Sequence, residues 1–384
     1  MDFDFTPEQL SIRQMARDFG EKESGPMAEH DQKEEFPWDV AAKMAPLGMM
    51  GGTIPVEYGG AGLDYMSFAL MTEELAVHDM TISIIMSFAS GLGGQAILQY
   101  GTEAQKQKYL VPVCQGDIFC GTALTEPRSG SDVGGTETSV RKDGSDYVIN
   151  GQKMWISFIS EATFFTTFAT MDRSLKHRGL CAFIIPADTP GVTRKPFKNK
   201  VGYRPLSTGE LTFDNARIPQ ENLLGEEGGG FKVAMCAVEN GRLSVASRAC
   251  GVAQACLNAS VKYAQERVVF EQPIGRFQLI QSKITDMVVN LEAARLLTYN
   301  LAWIRDKGTK RAQRESSIAK MFATDMLMKT STDTMQIYGA YSCSPEYPVG
   351  RYWRDSKFFQ FVEGTSEIHR ILIAEYAMGY RKER

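Results

Sequence analysis

The chain predicts an α+β protein in three consecutive parts: helical, then β, then helical again. Two observations carry that prediction. Apolar residues recur at three-to-four spacing up to about residue 117, the period falls to two from about 118 to 230, and the longer spacing returns to the end. No internal repeat, low-complexity tract or flexible linker interrupts the order, so the expected divisions are 1–117, 118–230 and 231–384.

The first helix is legible from its cap. Thr6 is placed to cap, Pro7 to occupy the first turn and Gln9 to close a capping box. "PWDVAAKMAPLGM", "YMSFALMTEELAVH" and "MTISIIMSFASGLGGQAILQYG" continue as helices. "SVRKDGSDYVINGQKMWIS" predicts a hairpin with its turn at Lys142-Asp143-Gly144. "ATFFTTFATMD", "GLCAFIIPAD", "GVTRKPF" and "GELTFDNARIP" read as further short strands broken by Gly, Pro and Asp. After "GEEGGGF", three long helical stretches follow, at 232–267, 277–308 and 316–339. Their apolar residues occupy more than one face, as expected of a bundle that also buries an oligomer contact.

Composition narrows the function. The 384 residues are 43% apolar and 23% charged with net charge -4, which gives no reason to expect nucleic acid as a partner. No uninterrupted apolar stretch approaches a membrane span, and the acidic start resembles neither a signal nor a transit peptide, so a cytoplasmic protein without a membrane partner is expected. Seven scattered cysteines and four histidines lack ligand spacing, so neither disulfides nor a metal site is expected. "GLGGQA" matches a dinucleotide fingerprint but follows a helical pattern, which makes it a packing or turn feature. "GEEGGGF" reads as a joint and "MFATDMLMK" as helix core.

One carboxylate stands out. Glu363 in "FFQFVEGTSEIHR" follows an apolar run and precedes Gly364, the setting in which desolvation raises a carboxylate pKa toward neutrality and makes it a useful base. Around it, "TALTEPRSGSDVGG" (122–135), "NGQKMWIS" (150–157), "ERVVFEQPIGRFQLIQ" (266–281) and "MQIYGAYSCSPEYPVGRYWRDSKFFQFVEGTSEIHRILI" (335–373) resemble the acyl-CoA dehydrogenase family, in order and over essentially the whole chain.

That resemblance implies an N-terminal helical domain, a middle β-barrel or sandwich and a C-terminal four-helix bundle. It implies FAD between the β domain and the C-terminal helices, an acyl-CoA threaded between them, a homotetramer built as a dimer of dimers, and an electron-transfer flavoprotein as acceptor. By the same resemblance Leu124 and Thr125 contact the flavin pyrimidine ring, Trp155 lies beside the isoalloxazine and Ser157 reaches its N5 edge. Ser131 touches pantetheine or pyrophosphate. Arg267, Phe270 and Gln278, with Gln336 and Gly339, are lent by a neighbouring subunit to the dinucleotide, and Thr365 and Glu367 add FAD contacts. Glu239 and Arg242 flank the CoA thread, Gly364 allows close approach to substrate, and Glu363 is the base that removes the α-proton.

The pattern departs from the family at Arg128, at Glu271 and at Gly339-Ala340-Tyr341-Ser342, where a glycine turn is usual. Residues 77–93, which line the acyl tail in the family, hold no Arg or Lys. A buried unpaired carboxylate is costly, so a neutral short, branched or alicyclic acyl group is expected. Three alternatives stay open: an enoyl-CoA reductase running the same chemistry in reverse, a 1,4-dehydrogenation of a cyclic enoyl-CoA with Asp79 as second base, and a non-catalytic FAD-stabilised partner subunit. The other role for Asp79 is to cap the helix "MTISII".

Overall fold

A computed structural model of the protein describes residues 4–309 and 312–382, with the side chains of residues 89 and 90 excepted. Helix α1 (Pro7–Glu23) starts at the predicted box: the Thr6 hydroxyl accepts from the Gln9 N–H at 3.2 Å, and the Gln9 side-chain oxygen accepts from the Thr6 N–H at 3.0 Å. The chain continues through α2 (Met27–Lys33), α3 (Trp38–Met44), α4 (Tyr65–His78), α5 (Met80–Phe88), α6 (Gly94–Tyr100), α7 (Glu103–Gln105) and α8 (Val111–Cys114). Between α5 and α6 the backbone leaves helical geometry at Gly91, and a Cβ added at Gly93 would lie 2.1 Å from the Cys120 sulfur. "GLGGQA" is therefore a close-packing turn against a strand.

The run from Met80 to Tyr100, though interrupted by Thr, Ser and Gln, is long and apolar enough to cross a membrane by length and composition alone, and 81% of its apolar window is buried inside the fold, as in a core helix.

The middle sheet contains β1 (Phe119–Ala123), β2 (Ser139–Asp143), β3 (Asp146–Ser157), β4 (Ala162–Thr170), β5 (Leu180–Pro186), β6 (Val192–Pro196) and β7 (Thr208–Ile218). The order is β1-β4-β2-β3-β7-β6, with β5 pairing β4. In the β2–β3 hairpin Asp143 already pairs with Asp146, so the turn is tighter than read from sequence and centres on Gly144 at φ +68°.

Helix α9 (Gly230–Glu266) begins directly behind the glycine joint, where a Cβ at Gly230 would meet the backbone of Cys181 at 2.5 Å. A small hairpin, β8 (Val268–Val269) and β9 (Gln272–Pro273), leads to α10 (Gln278–Asp306), α11 (Gln313–Tyr338), α12 (Val349–Phe359) and α13 (Ser366–Ala377). Helices α9, α10 and α11 pack on one another, α12 and α13 lie on α11, and α4 packs across α9. One apolar core runs through all three parts of the chain, so α9 is a shared wall between the N-terminal helices and the bundle.

Candidate active site

The site grows from a turn. Between α12 and α13 the chain passes through Glu363 at φ +56° and Gly364 at φ +100°. A left-handed non-glycine residue costs roughly 1–2 kcal/mol and needs support. Arg242 on α9 supplies it, its Nε donating to the Glu363 carbonyl at 3.3 Å, and Lys320 on α11 donates to the Gly364 carbonyl at 2.8 Å. Both cations are buried. The Glu363 N–H donates to no backbone carbonyl among the described residues, which leaves it available to a ligand.

The carboxyl group lies against α9 at a position sequence reasoning passed over. A Cβ added at Gly241 would stand 2.6–2.8 Å from the Glu363 carboxyl atoms, so this glycine makes the space the base occupies. Burial pushes the Glu363 carboxyl up to about 7, against the opposing pull of Arg242, Lys320 and Arg248. Burial also brings Lys320 down to about 8 and, with Arg242 and Lys320 nearby, holds His369 neutral.

The apolar run before Glu363 contributes differently from expectation. Phe359 is buried, but Phe361 is exposed under the Lys357 ammonium, 5.0 Å from the ring centroid. The aromatic ring turned toward the base region is Tyr203, from the loop before β7, stacked on Phe358 at 4.8 Å and edge-on to Phe359 at 5.9 Å. That contact could not be seen in sequence, because the residues lie over 150 positions apart.

A second group gathers where β1 ends. The Met154 N–H donates to the Thr125 carbonyl at 2.8 Å, and Lys153 reaches the Leu124 carbonyl at 3.3 Å and Glu126 at 2.7 Å. The Lys153–Glu126 pair is fully buried, with Glu126 also accepting from the N–H groups of Glu137 and Thr138. It locks Leu124 and Thr125 beside Trp155 and Ser157. The β3 register shifts here; Trp155 sits at φ +63° with 58% of its surface exposed, and Ser157 is half-buried. A large bare indole beside free hydroxyls fits a heteroaromatic ring with polar edges. Ser131 is exposed in the following loop, whose shape is set by Ser129 donating to the Asp132 carbonyl.

A third group lies at the far end of the bundle. Arg267 is exposed just beyond α9, its guanidinium 5.3 Å from the Tyr341 ring, so one departure from the family pattern packs on one of the expected cations. Phe270 and Glu271 form the β8–β9 turn, both at positive φ, which explains why glycine suits position 271; Phe270 is 89% exposed. Gln278 and Gln336 are exposed, and Gly339 ends α11 at φ +60° with open space around it. Thr365 caps α13, accepting from the Ile368 N–H at 3.3 Å, and Glu367 is exposed in its first turn. Glu239 is buried one turn before Arg242.

Asp79 takes the capping role. One carboxylate oxygen accepts from Thr81 and Ile82 N–H at 2.7 and 3.3 Å, and the other pairs with Arg351. Residues 77–93 hold no Arg or Lys, as read from the sequence, but a cation reaches them from another helix. Arg248 of α9 donates to Ser83 and Ser87 of α5. Among the described residues no cluster of His, Cys, Asp or Glu is placed to hold a metal.

Three family models match in series: the acyl-CoA dehydrogenase N-terminal domain over 6–117, middle domain over 121–216 and C-terminal domain over 228–378. An acyl-CoA dehydrogenase of Bacillus subtilis is 41% identical over 375 residues, covering 97% of this chain and 99% of that protein. The chain belongs to the acyl-CoA dehydrogenase family. Among solved structures, butyryl-CoA dehydrogenase from Megasphaera elsdenii superimposes with TM-score 0.94 at 38% identity over 98% of this chain and 100% of the other. A glutaryl-CoA dehydrogenase in complex with glutaryl-CoA gives TM-score 0.96 at 36% identity over 100% and 98%. The acyl-CoA dehydrogenase frame thus covers all three groups of site residues, and the protein is an oxidoreductase of that family.

Proposed function

We propose that the protein oxidises an acyl-CoA across Cα–Cβ, with Glu363 as the base. The observation that carries this reading is the Glu363 carboxyl, seated on Gly241, fixed by Arg242 and Lys320 through the neighbouring carbonyls, and poised at about 7. FAD is the cofactor, and when bound it supplies the acceptor for the β-hydrogen and its electron pair. Leu124, Thr125, Trp155 and Ser157 would hold its ring system, with Ser131, Thr365 and Glu367 as further contacts. Arg267, Phe270, Gln278, Gln336 and Gly339 would serve the dinucleotide of a neighbouring subunit.

The protein's own part is positional and acid–base. The Glu363 carboxylate takes the α-proton, and its free N–H is available to the thioester oxygen as negative charge develops there. Gly364 has no side chain to hold the ester away, and Glu239 and Arg242 border its path. An electron-transfer flavoprotein is the proposed acceptor. The tetramer is supported by α10, which exposes Val289, Leu296 and Trp303 at intervals of seven residues along one stripe. The same site could run as a reductase, since the direction depends on the redox partner.

The comparisons include both a butyryl- and a glutaryl-CoA enzyme, so they leave the acyl group open. With Arg248 against α5, the ground for preferring a neutral acyl group falls away. The test is an anaerobic titration of the flavin spectrum with acyl-CoA esters, for the protein and for Glu363→Gln. Bleaching by at least one ester, lost in the variant although the ester still binds, is the expected result. An equally fast Glu363→Gln enzyme would reject the assigned base.

A further inference from the structure

Arg248 is a buried cation with no carboxylate hydrogen-bonded to it among the described residues. It is the only charged residue between Arg242 and Lys262, in a stretch of α9 made of small and apolar side chains, and it is 4% exposed. Its Nε donates to the Ser83 hydroxyl at 3.3 Å, and one terminal nitrogen donates to the Ser83 carbonyl at 3.4 Å and to the Ser87 hydroxyl. These acceptors are all neutral, and no carboxylate pairs with it among the described residues. The two serines give their own protons to the Thr72 and Ile84 carbonyls at 2.8 and 3.3 Å. They therefore orient the guanidinium and have no donor left for a ligand.

A second polar group is left open in the same niche. The Tyr203 hydroxyl is buried and has no hydrogen-bond partner among the described residues, while its ring is pinned by Phe358 and Phe359. Arg248, Tyr203 and Glu363 all lie within electrostatic reach of one another. Arg242, Lys320 and Arg248 all act on the carboxyl of Glu363, but Arg242 also has Glu239 in reach and Lys320 has Asp325 and Glu367, whereas Glu363 is the one carboxylate acting on Arg248 among the described residues. Arg242 and Lys320 have the backbone of the 363–364 turn to occupy them. Arg248 has only serines. A cation kept out of water with no counter-ion is costly unless a ligand supplies one, and a guanidinium beside a phenol hydroxyl is a donor set for a carboxylate.

We propose that Arg248, assisted by the Tyr203 hydroxyl, binds a second carboxylate on the acyl group, so that the substrate class is a dicarboxylyl-CoA thioester. The proposal rests on the dehydrogenation reading above and names its substrate class. The second carboxylate takes no part in the chemistry: the α-proton still passes to Glu363, the β-hydrogen with its electron pair to the flavin, and the carboxylate stays bound and unchanged. Arg248 is then a specificity-determining residue, and a neutral acyl chain leaves it buried and unpaired, which is the condition for strong rejection.

The test uses the FAD-loaded enzyme and three matched pairs of esters of equal carbon number: succinyl- and butyryl-CoA, glutaryl- and valeryl-CoA, adipyl- and hexanoyl-CoA. In at least one pair kcat/KM for the dicarboxylyl ester exceeds its neutral partner by about 10²-fold or more. Arg248→Gln lowers that ratio by at least about 10²-fold, chiefly through KM, and Arg248→Lys lowers it by less, since an ammonium keeps the charge but not the fork. A role confined to pinning α5 would reduce both esters of a pair alike. Faster turnover of the neutral ester in all three pairs overturns the proposal and leaves dehydrogenation standing. An unchanged ratio in the variants also overturns it. If Arg248→Gln does not fold, the wild-type pairs and Arg248→Lys decide. Absence of flavin bleaching with all six esters overturns this proposal, and bleaching by a branched or alicyclic ester in their place leaves the dehydrogenation reading standing.

Discussion

Glu363 shows how much a single side chain takes from its surroundings. Its sequence context marked it as a base, yet Phe361 in the run before it faces outward, and the carboxyl is seated instead against Gly241 of α9. Because burial raises its folded pKa to about 7, the group is protonated and inactive as a base below that pH and ionised above it. The expected pH profile of kcat/KM therefore rises through about 7 and levels off on the alkaline side. A limb near 4.5, the unshifted value, would show that the carboxylate is solvated in the working enzyme. Glu363→Gln should lose at least about 10²-fold in rate, the lower end for general base catalysis, while retaining flavin absorbance.

At the scale of the element, α9 does most of the positioning. In 37 residues it carries Glu239, Gly241, Arg242 and Arg248, and it touches the N-terminal helices, the sheet and the rest of the bundle. Gly241→Ala separates fold from function. Alanine is favoured over glycine inside a helix by about 1 kcal/mol, so the melting temperature should hold or rise. The new methyl would occupy the space of the Glu363 carboxyl, and a displacement near 1 Å costs on the order of 10²-fold in rate. Unchanged kcat/KM in a well-folded Gly241→Ala protein would mean that the carboxyl works elsewhere. Strand β3 has the matching role on the flavin side. Lys153→Met would strand Glu126 in the interior, and loss of one partner of a buried pair costs about 3–5 kcal/mol. Calorimetry should show the lower melting temperature, together with weaker FAD retention as Leu124 and Thr125 loosen.

For the whole molecule, the exposed stripe of Val289, Leu296 and Trp303 is the face we propose for the subunit contact, and that proposal makes assembly a condition of the site. The groups at Arg267 and Phe270 stand at the end of the bundle and are exposed in one chain, as residues lent to another subunit would be. Leu296→Glu together with Trp303→Glu should lower the sedimentation coefficient and release FAD in step. A variant that stays assembled, or dissociates with FAD fully retained, would place the subunit contact on another face.

The sequence by itself determined the order of the three regions, the Thr6 cap, the strands and the carboxylate at 363, because each is written in local periodicity, capping chemistry or an ordered motif. Leu124, Thr125, Trp155 and Ser157 came from the family resemblance that the ordered motifs carry, two of them just after β1 and two in β3. The tertiary structure decided what lay across the chain from these residues. It put Gly241 beneath the base, engaged Asp79 with Arg351, laid Tyr203 over the aromatic run and carried Arg248 to the helix at 80–88. A lone arginine among small residues at 243–261 was visible in the sequence, but its meaning was not. Burial, and the absence of a hydrogen-bonded carboxylate among the described residues, belong to contacts between residues 165 positions apart, and local pattern holds no record of them.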